Sequence, residues 1–185
     1  MNKLIYFIIG FIVIILVIAG VFIFNKQNKG TGQGIIVVEK MELKSIFEDN
    51  KNIPSKYTCD GEDVNPYLEI GDIPKDAKSL VLIVDDPDAP VETWVHWVVW
   101  NIQPGTNIIE ENSVPEGATQ GLNDFRKHDY GGPCPPTGEH RYFFKIYALD
   151  STLNLDSNSE KSDIERAMYN HVLAQAELVG LYSKG

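Results

Sequence analysis

Residues 80–102, LVLIVDDPDAPVETWVHWVVWNI, set two apolar runs on either side of a short segment dense in acids and prolines. The first run, 80–84, is unbroken and rich in β-branched side chains, the composition of a strand buried on both faces. The second, 96–102, reads as its neighbouring strand. Between them Pro87 and Pro90 each fix φ and remove a backbone donor, which predicts a stiff bend holding Asp85, Asp86 and Asp88 at the strand end. The two-residue period of a strand predicts His96, Val98 and Trp100 on one face and Trp97, Val99 and Asn101 on the other.

Working outward, a second stretch completes the pattern. Residues 131–149, GGPCPPTGEHRYFFKIYAL, are a Gly/Pro loop feeding a strand in which His140, Tyr142, Phe144, Ile146 and Ala148 share a face, with Arg141 and Lys145 opposite. Imidazole N–H groups, a phenol O–H and the amides of a glycine-containing loop are donors suited to a phosphate or carboxylate. Either histidine alone would be read as a strand-end residue satisfied by local backbone. Two histidines, two acids and a Gly/Pro loop arriving from separated segments point instead to a site.

These residues resemble the phosphatidylethanolamine-binding protein family, which includes the Raf kinase inhibitor proteins, and its bacterial and archaeal branch in particular. The resemblance is carried by DPDAP at 86–90, HW at 96–97, GEHRY at 138–142, YTCDG at 57–61, GLND at 121–124, YGGPCPP at 130–136 and HVLAQAELVG at 171–180. It spans residues 41–182, and several long motifs in order are far more specific than any one of them. It implies a mostly β, β-rich α+β fold of antiparallel sheets with a C-terminal helix. It also implies that Asp86, Asp88, Pro90, His96, Gly132, His140 and Tyr142 line a small anion pocket, the acids orienting the histidines. Relatives act as inhibitors of kinases or proteases, so a protein target is a further expectation of the resemblance. By the same resemblance Cys59 and Cys134 approach the rim of that pocket, where a disulfide and a pair of buried free thiols are both open readings.

The chain has 185 residues, enough for one domain with a real core. Residues 4–24 form an uninterrupted apolar and aromatic segment, and about twenty such residues are what a helix needs to cross a bilayer. The segment exceeds the apolar region of about 7–15 residues in a cleaved signal peptide, so an uncleaved transmembrane anchor over residues 1–24 is expected. Residues 25–40 then form a Gly-rich polar tether leading into a first strand, and residues 41–185 form the binding domain. The net charge is −10, and the first forty residues, with four lysines and one glutamate, carry +3 and leave −13 for the remainder. An acidic body disfavours nucleic acid, whose phosphates are bound by surplus Lys and Arg. The expected partners are a phosphate-containing small molecule or phospholipid head group, and a membrane that the N-terminal helix spans once, with the domain outside the cytoplasm.

Residues 162–165, SDIE, form a capping box at the start of a helix, and Ile164, Met168, Val172 and Ala176 give it an apolar stripe that Gly180 ends. The competing functional reading is a metal-dependent hydrolase using the His/Asp cluster, but no close ligand pair such as HExxH accompanies it. Nor is there a GxSxG elbow or an oxyanion-hole motif for Cys134 and His140. A binding protein without cofactor or catalytic residues is therefore expected.

Overall fold

The computed structural model describes residues 39–184. The strands are β1 (Glu39–Lys40), β2 (Glu42–Ser45), β3 (Lys51–Asn52), β4 (Leu68–Gly71), β5 (Ser79–Asp86), β6 (Trp94–Ile102), β7 (Ile108–Ile109), β8 (Thr119–Gln120), β9 (Glu139–Leu149) and β10 (Val172–Ser183), with one helix, α1 (Lys161–Ala167), before the last. Among the described residues no helix is long and apolar enough to cross a membrane. The expected anchor at residues 1–24, and the tether as far as residue 38, lie outside the described residues.

The large sheet runs β1-β10-β9-β5-β6-β8, with β3 also paired to β10, and a small sheet runs β2-β4-β7. The main ladders are antiparallel, while the short β1 and β3 join β10 in parallel. The centre is β5, buried along all eight residues because both of its faces are covered. Leu80, Leu82 and Val84 meet Trp97, Val99, Tyr142 and Phe144, together with Leu68, Ile70 and Ile109 from the small sheet. Val81 and Ile83 pack on the opposite side with Val98, Trp100, Leu153, Ile164 and Met168, under α1. An unbroken apolar strand has a place only where both faces are dry, and the two covering layers provide it.

The C-terminal region differs from its expected form. The helix is only seven residues long, and its capping box joins Glu160 to Asp163, two positions earlier than Ser162 and Glu165. Residues 172–180, expected as the rest of that helix, belong instead to a twelve-residue strand, Val172–Ser183, paired with β9 along nearly its whole length. The apolar spacing misled because i and i+4 share a face in a strand as well as in a helix. Ala174 and Leu178 face the core at period two. Gly180 ends nothing: it sits opposite Tyr142 in the ladder, where a Cβ would meet the Ile53 side chain at 2.4 Å. Glycine in a strand interior marks such a close approach.

Two irregularities in the β5–β6 pair shape what lies at each end. Leu80 pairs with Ile102 but Leu82 with Val99, and the extra residue is taken up at Asn101, which has φ 56°. The Asn101 amide then holds Leu153 by both its carbonyl oxygen (2.9 Å) and its N–H (2.8 Å), fastening the chain that leads to α1. At the other end Val84 pairs with Trp97 but Asp85 with Val95, so His96 is the additional residue.

Candidate functional site

That second bulge corrects the expected orientation of His96. Strict alternation places its ring with Val98 and Trp100, but the extra residue reverses the parity of the strand, as bulges beside sites commonly do. Val95, Val98 and Trp100 remain under α1, whereas the His96 ring packs edge-on to Tyr142, with centroids 5.2 Å apart. His140 and Tyr142 project from alternate positions of β9, with centroids 6.5 Å apart. The two separated segments therefore do meet, at the end of the large sheet where β5, β6 and β9 lie side by side.

Asp86, the last residue of β5, organises this end. Its Oδ2 accepts from His140 Nδ1 at 2.7 Å, with both side chains almost fully buried, and its Oδ1 accepts from the Asp88 amide at 2.8 Å. One carboxylate thus fixes an imidazole and the proline bend. His96 is held differently. Its Nδ1 donates to the Gly131 carbonyl at 2.6 Å, and the Gly131 amide donates back to the His96 carbonyl. Burial holds the His96 pKa below the ordinary histidine value; the Gly131 carbonyl and the charges of Asp86, Asp85 and Asp124 oppose this without overcoming it.

Tyr142 is 1% exposed, and its hydroxyl has no hydrogen-bond partner of acceptable geometry among the described residues. Burial, and then the negative charge of Asp86, push its pKa well above the usual phenol value; the nearby Cys134 backbone opposes this only in part. The phenol therefore stays protonated. Asp86, His96, His140 and Tyr142 line a cavity of about 200 Å³ together with Ala89, Pro90, Trp94, Phe125, Pro135 and Pro136. Polar groups at depth and an apolar collar are the usual make-up of a small-ligand pocket.

Two expected residues sit elsewhere in the arrangement. Asp88 does not line the cavity: it is bound in bidentate fashion by Arg141, at 2.7 and 2.8 Å, and also accepts from the Arg141 amide. The Arg141 guanidinium holds the Asp88 pKa down to about 2. Gly132 also lies outside the lining. Its amide donates to Asp63 Oδ1 at 2.6 Å, and an added Cβ would lie 2.6 Å from the Tyr57 carbonyl oxygen, so it serves the close approach of two loops. Cys134 does line the cavity, and its sulfur is at bonding distance from that of Cys59, with Cα atoms 5.4 Å apart.

Trp94 and Phe125 are the residues sequence reasoning missed. Phe125 belongs to a polar stretch whose order depends on Asn123, a 1% exposed amide that donates to the carbonyls of His96 and Asp129 and accepts from the Lys127 amide. Asp124 adds a bond from the Val95 amide at 2.7 Å. These contacts hold Phe125 edge-on to both Trp94 and His96, at 5.5 and 5.4 Å. A buried Asn inside a loop is the signal, and sequence does not display burial.

Among the described residues no group of three or more His, Cys, Asp or Glu could hold a metal ion. The carboxylates are already engaged, Asp86 with His140 and Asp88 with Arg141, which leaves the two imidazoles without a third ligand among the described residues. The metal-hydrolase reading thus loses its geometric basis.

Comparison with known proteins leads to the same family as the motifs. A family model for phosphatidylethanolamine-binding proteins matches residues 43–183. A UPF0098 protein of Methanothermobacter thermautotrophicus is 50% identical over 151 residues, covering 78% of this chain and 100% of its own. A counterpart in Pyrococcus horikoshii is 51% identical over 156 residues, covering 79% of each. Among solved structures, a phosphatidylethanolamine-binding protein homologue from Chlamydia trachomatis superposes with a TM-score of 0.76 at 41% identity, over 80% of this chain and 99% of that one. YbcL of E. coli, a member of the same family, gives 0.74 at 29%, over 79% and 99%. With its profile, its relatives and its architecture in agreement, the chain belongs to the phosphatidylethanolamine-binding protein family.

Proposed function

We propose that this protein binds a phosphate-containing ligand, a phospholipid head group or a small phosphorylated molecule, in the cavity between the ends of β5, β6 and β9. It does so at a membrane surface, where the apolar N-terminal segment holds it. The observation that carries this reading is the Tyr142 hydroxyl, a buried donor without a partner among the described residues, in a cavity also lined by two imidazoles. Burying an unsatisfied donor costs about 1–3 kcal/mol, and such groups in native proteins call for an explanation. A phosphate oxygen in the cavity supplies the missing acceptor. The collar of Trp94, Phe125 and prolines suits the carbon portion of the same ligand.

The test is an NMR titration of the full chain with inorganic phosphate and with phosphoethanolamine. Ring signals of His96 and His140 are expected to shift in a saturable manner at millimolar ligand or below. Tyr142→Phe, which removes the donor and little else, is expected to weaken binding by about tenfold, the worth of one hydrogen bond. Rings unmoved by either ligand at these concentrations exclude an anion site.

A further inference from the structure

Both imidazoles of the cavity are committed through the same ring nitrogen, but to different partners. A carbonyl oxygen can only accept, so His96 Nδ1, 2.6 Å from the Gly131 oxygen, carries the proton. His140 Nδ1 faces the Asp86 carboxylate at 2.7 Å. Each ring is left with Nε2 free of any partner among the described residues, and both rings line the cavity. Behind His140 stands the Asp86 carboxylate. Behind His96 stands a neutral carbonyl, and that residue is only 3% exposed.

The charged and titratable groups around His96 are Asp85 and Asp86 on β5, Asp124 on the loop packed over β6, and His140 and Tyr142 on β9. The acids do not outweigh burial, so the ring is neutral near pH 7 and Nε2 presents a lone pair. Tyr142 presents the opposite polarity, a hydroxyl that remains protonated. The cavity therefore asks for a ligand that both accepts and donates.

We infer that the cavity selects a phosphate monoester, in its hydrogen-phosphate form, over a phosphate diester: the P–O–H donates to His96 Nε2, and another phosphate oxygen accepts from the Tyr142 hydroxyl. This rests on the anion-binding reading above and narrows it. A monoester, with its second pKa near 6, keeps a proton on a good fraction of its molecules at pH 6.5, and a diester has none to offer. A diester oxygen would meet the Nε2 lone pair with lone pairs of its own. A buried acceptor left without a donor lowers affinity by about tenfold or more.

Ethyl phosphate and dimethyl phosphate make the test, because they are constitutional isomers and differ in the O–H, not in bulk. Each is titrated at pH 6.5 into the full-length isotope-labelled chain in a mild non-ionic detergent, with the ring signals of His96 and His140 as readout. Ethyl phosphate is expected to bind at least about tenfold more tightly, and its affinity is expected to fall between pH 6.5 and pH 8 as the hydrogen-phosphate form is lost. His96→Gln, whose amide can donate, is expected to bring the isomers within about threefold of one another. Equal affinities in the unaltered chain overturn the inference while leaving an anion site intact. Binding of ethyl phosphate that strengthens up to pH 8 overturns it too, since charge would then be what is recognised. Failure of both isomers, and of inorganic phosphate, to move either ring removes the anion site itself.

Discussion

Asp86 Oδ2 lies 2.7 Å from His140 Nδ1, and the pair joins the last residue of β5 to the second residue of β9 where both side chains are almost fully buried. The same carboxylate takes the Asp88 amide on its other oxygen, so the imidazole and the proline bend share one anchor. Asp86→Asn leaves a single acceptor oxygen where two bonds now end. It is expected to destabilise the protein by about 1–3 kcal/mol and to broaden the His140 ring signals as the tautomer loses its lock. Urea unfolding and ring NMR of the variant check both effects, and unchanged stability would remove Asp86 from its organising role.

Asp88 and Arg141 supply a pH dependence with a definite sign. The folded-state pKa of Asp88, about 2, is below its ordinary value of 3.8, so the carboxylate form is favoured by folding. The stability this adds is fully present above about pH 4 and is lost as pH falls through 2. Arg141 is more than half exposed, so the contribution is set at about 1 kcal/mol, the upper range for an exposed pair. Asp88→Asn is expected to be less stable by that amount at pH 7, with the gap to the unaltered protein closing between pH 4 and pH 2. A gap that persists unchanged at pH 2 would assign the effect to something other than the ion pair.

How far these relationships are legible in sequence depends on whether period and register agree. The central strand β5 is legible because an unbroken run of Leu80 to Val84 has few other homes, and the face shared by His140, Tyr142 and Phe144 follows directly from alternation in β9. His96 was expected in the site but on the wrong face, because a bulge adds one residue without leaving a mark in composition. The strand β10 reads as helix because a four-residue apolar spacing suits either period, although the irregularity after Val172 puts it and Ala176 in different clusters, and Gly180 looks like a helix stop where it actually makes room for Ile53. Asp88 looks like a ligand because it stands in the motif, yet Arg141, next to His140 in sequence, reaches it from outside the cavity. Trp94 and Phe125 emerge only once Asn123 is seen to be buried.

Asp85, adjacent to Asp86, turns to the opposite face of the sheet. Its carboxylate is fully buried between Lys145 on β9 at 2.7 Å and Lys161, the first residue of α1, at 2.5 Å. Removing Asp85 takes from Lys145 its counter-charge and leaves Lys161 only the more distant Glu165, at 3.7 Å, whereas removing one lysine leaves a pair. Asp85→Ala is therefore expected to cost about 3–5 kcal/mol, and Lys161→Met no more than about 1.5 kcal/mol, with some of that offset by the added apolar contact. Chemical unfolding of the two variants side by side checks the asymmetry. Equal losses would mean that the helix start, not the carboxylate, is the critical element.

The bond between Cys59 and Cys134 closes a sequence separation of 75 residues and joins the turn after Tyr57 to the Pro135–Pro136 wall of the cavity. Constraining the unfolded chain over such a loop contributes about 4 kcal/mol in the chain-entropy account, less any compensation from residual unfolded structure. Other contacts already tie the same two loops: Cys59 N–H to the Pro133 carbonyl, Gly132 N–H to Asp63, and the Tyr130 hydroxyl to the Tyr57 carbonyl. Reduction is thus expected to lower the unfolding midpoint while leaving the cavity assembled, with ring signals of His96 and His140 nearly unchanged at ambient temperature. Mass spectrometry of unreduced protein should find no alkylable thiol. Two alkylated cysteines in freshly purified protein would remove the bond, and collapse of the ring signals on reduction would show that the hydrogen bonds cannot hold the wall by themselves.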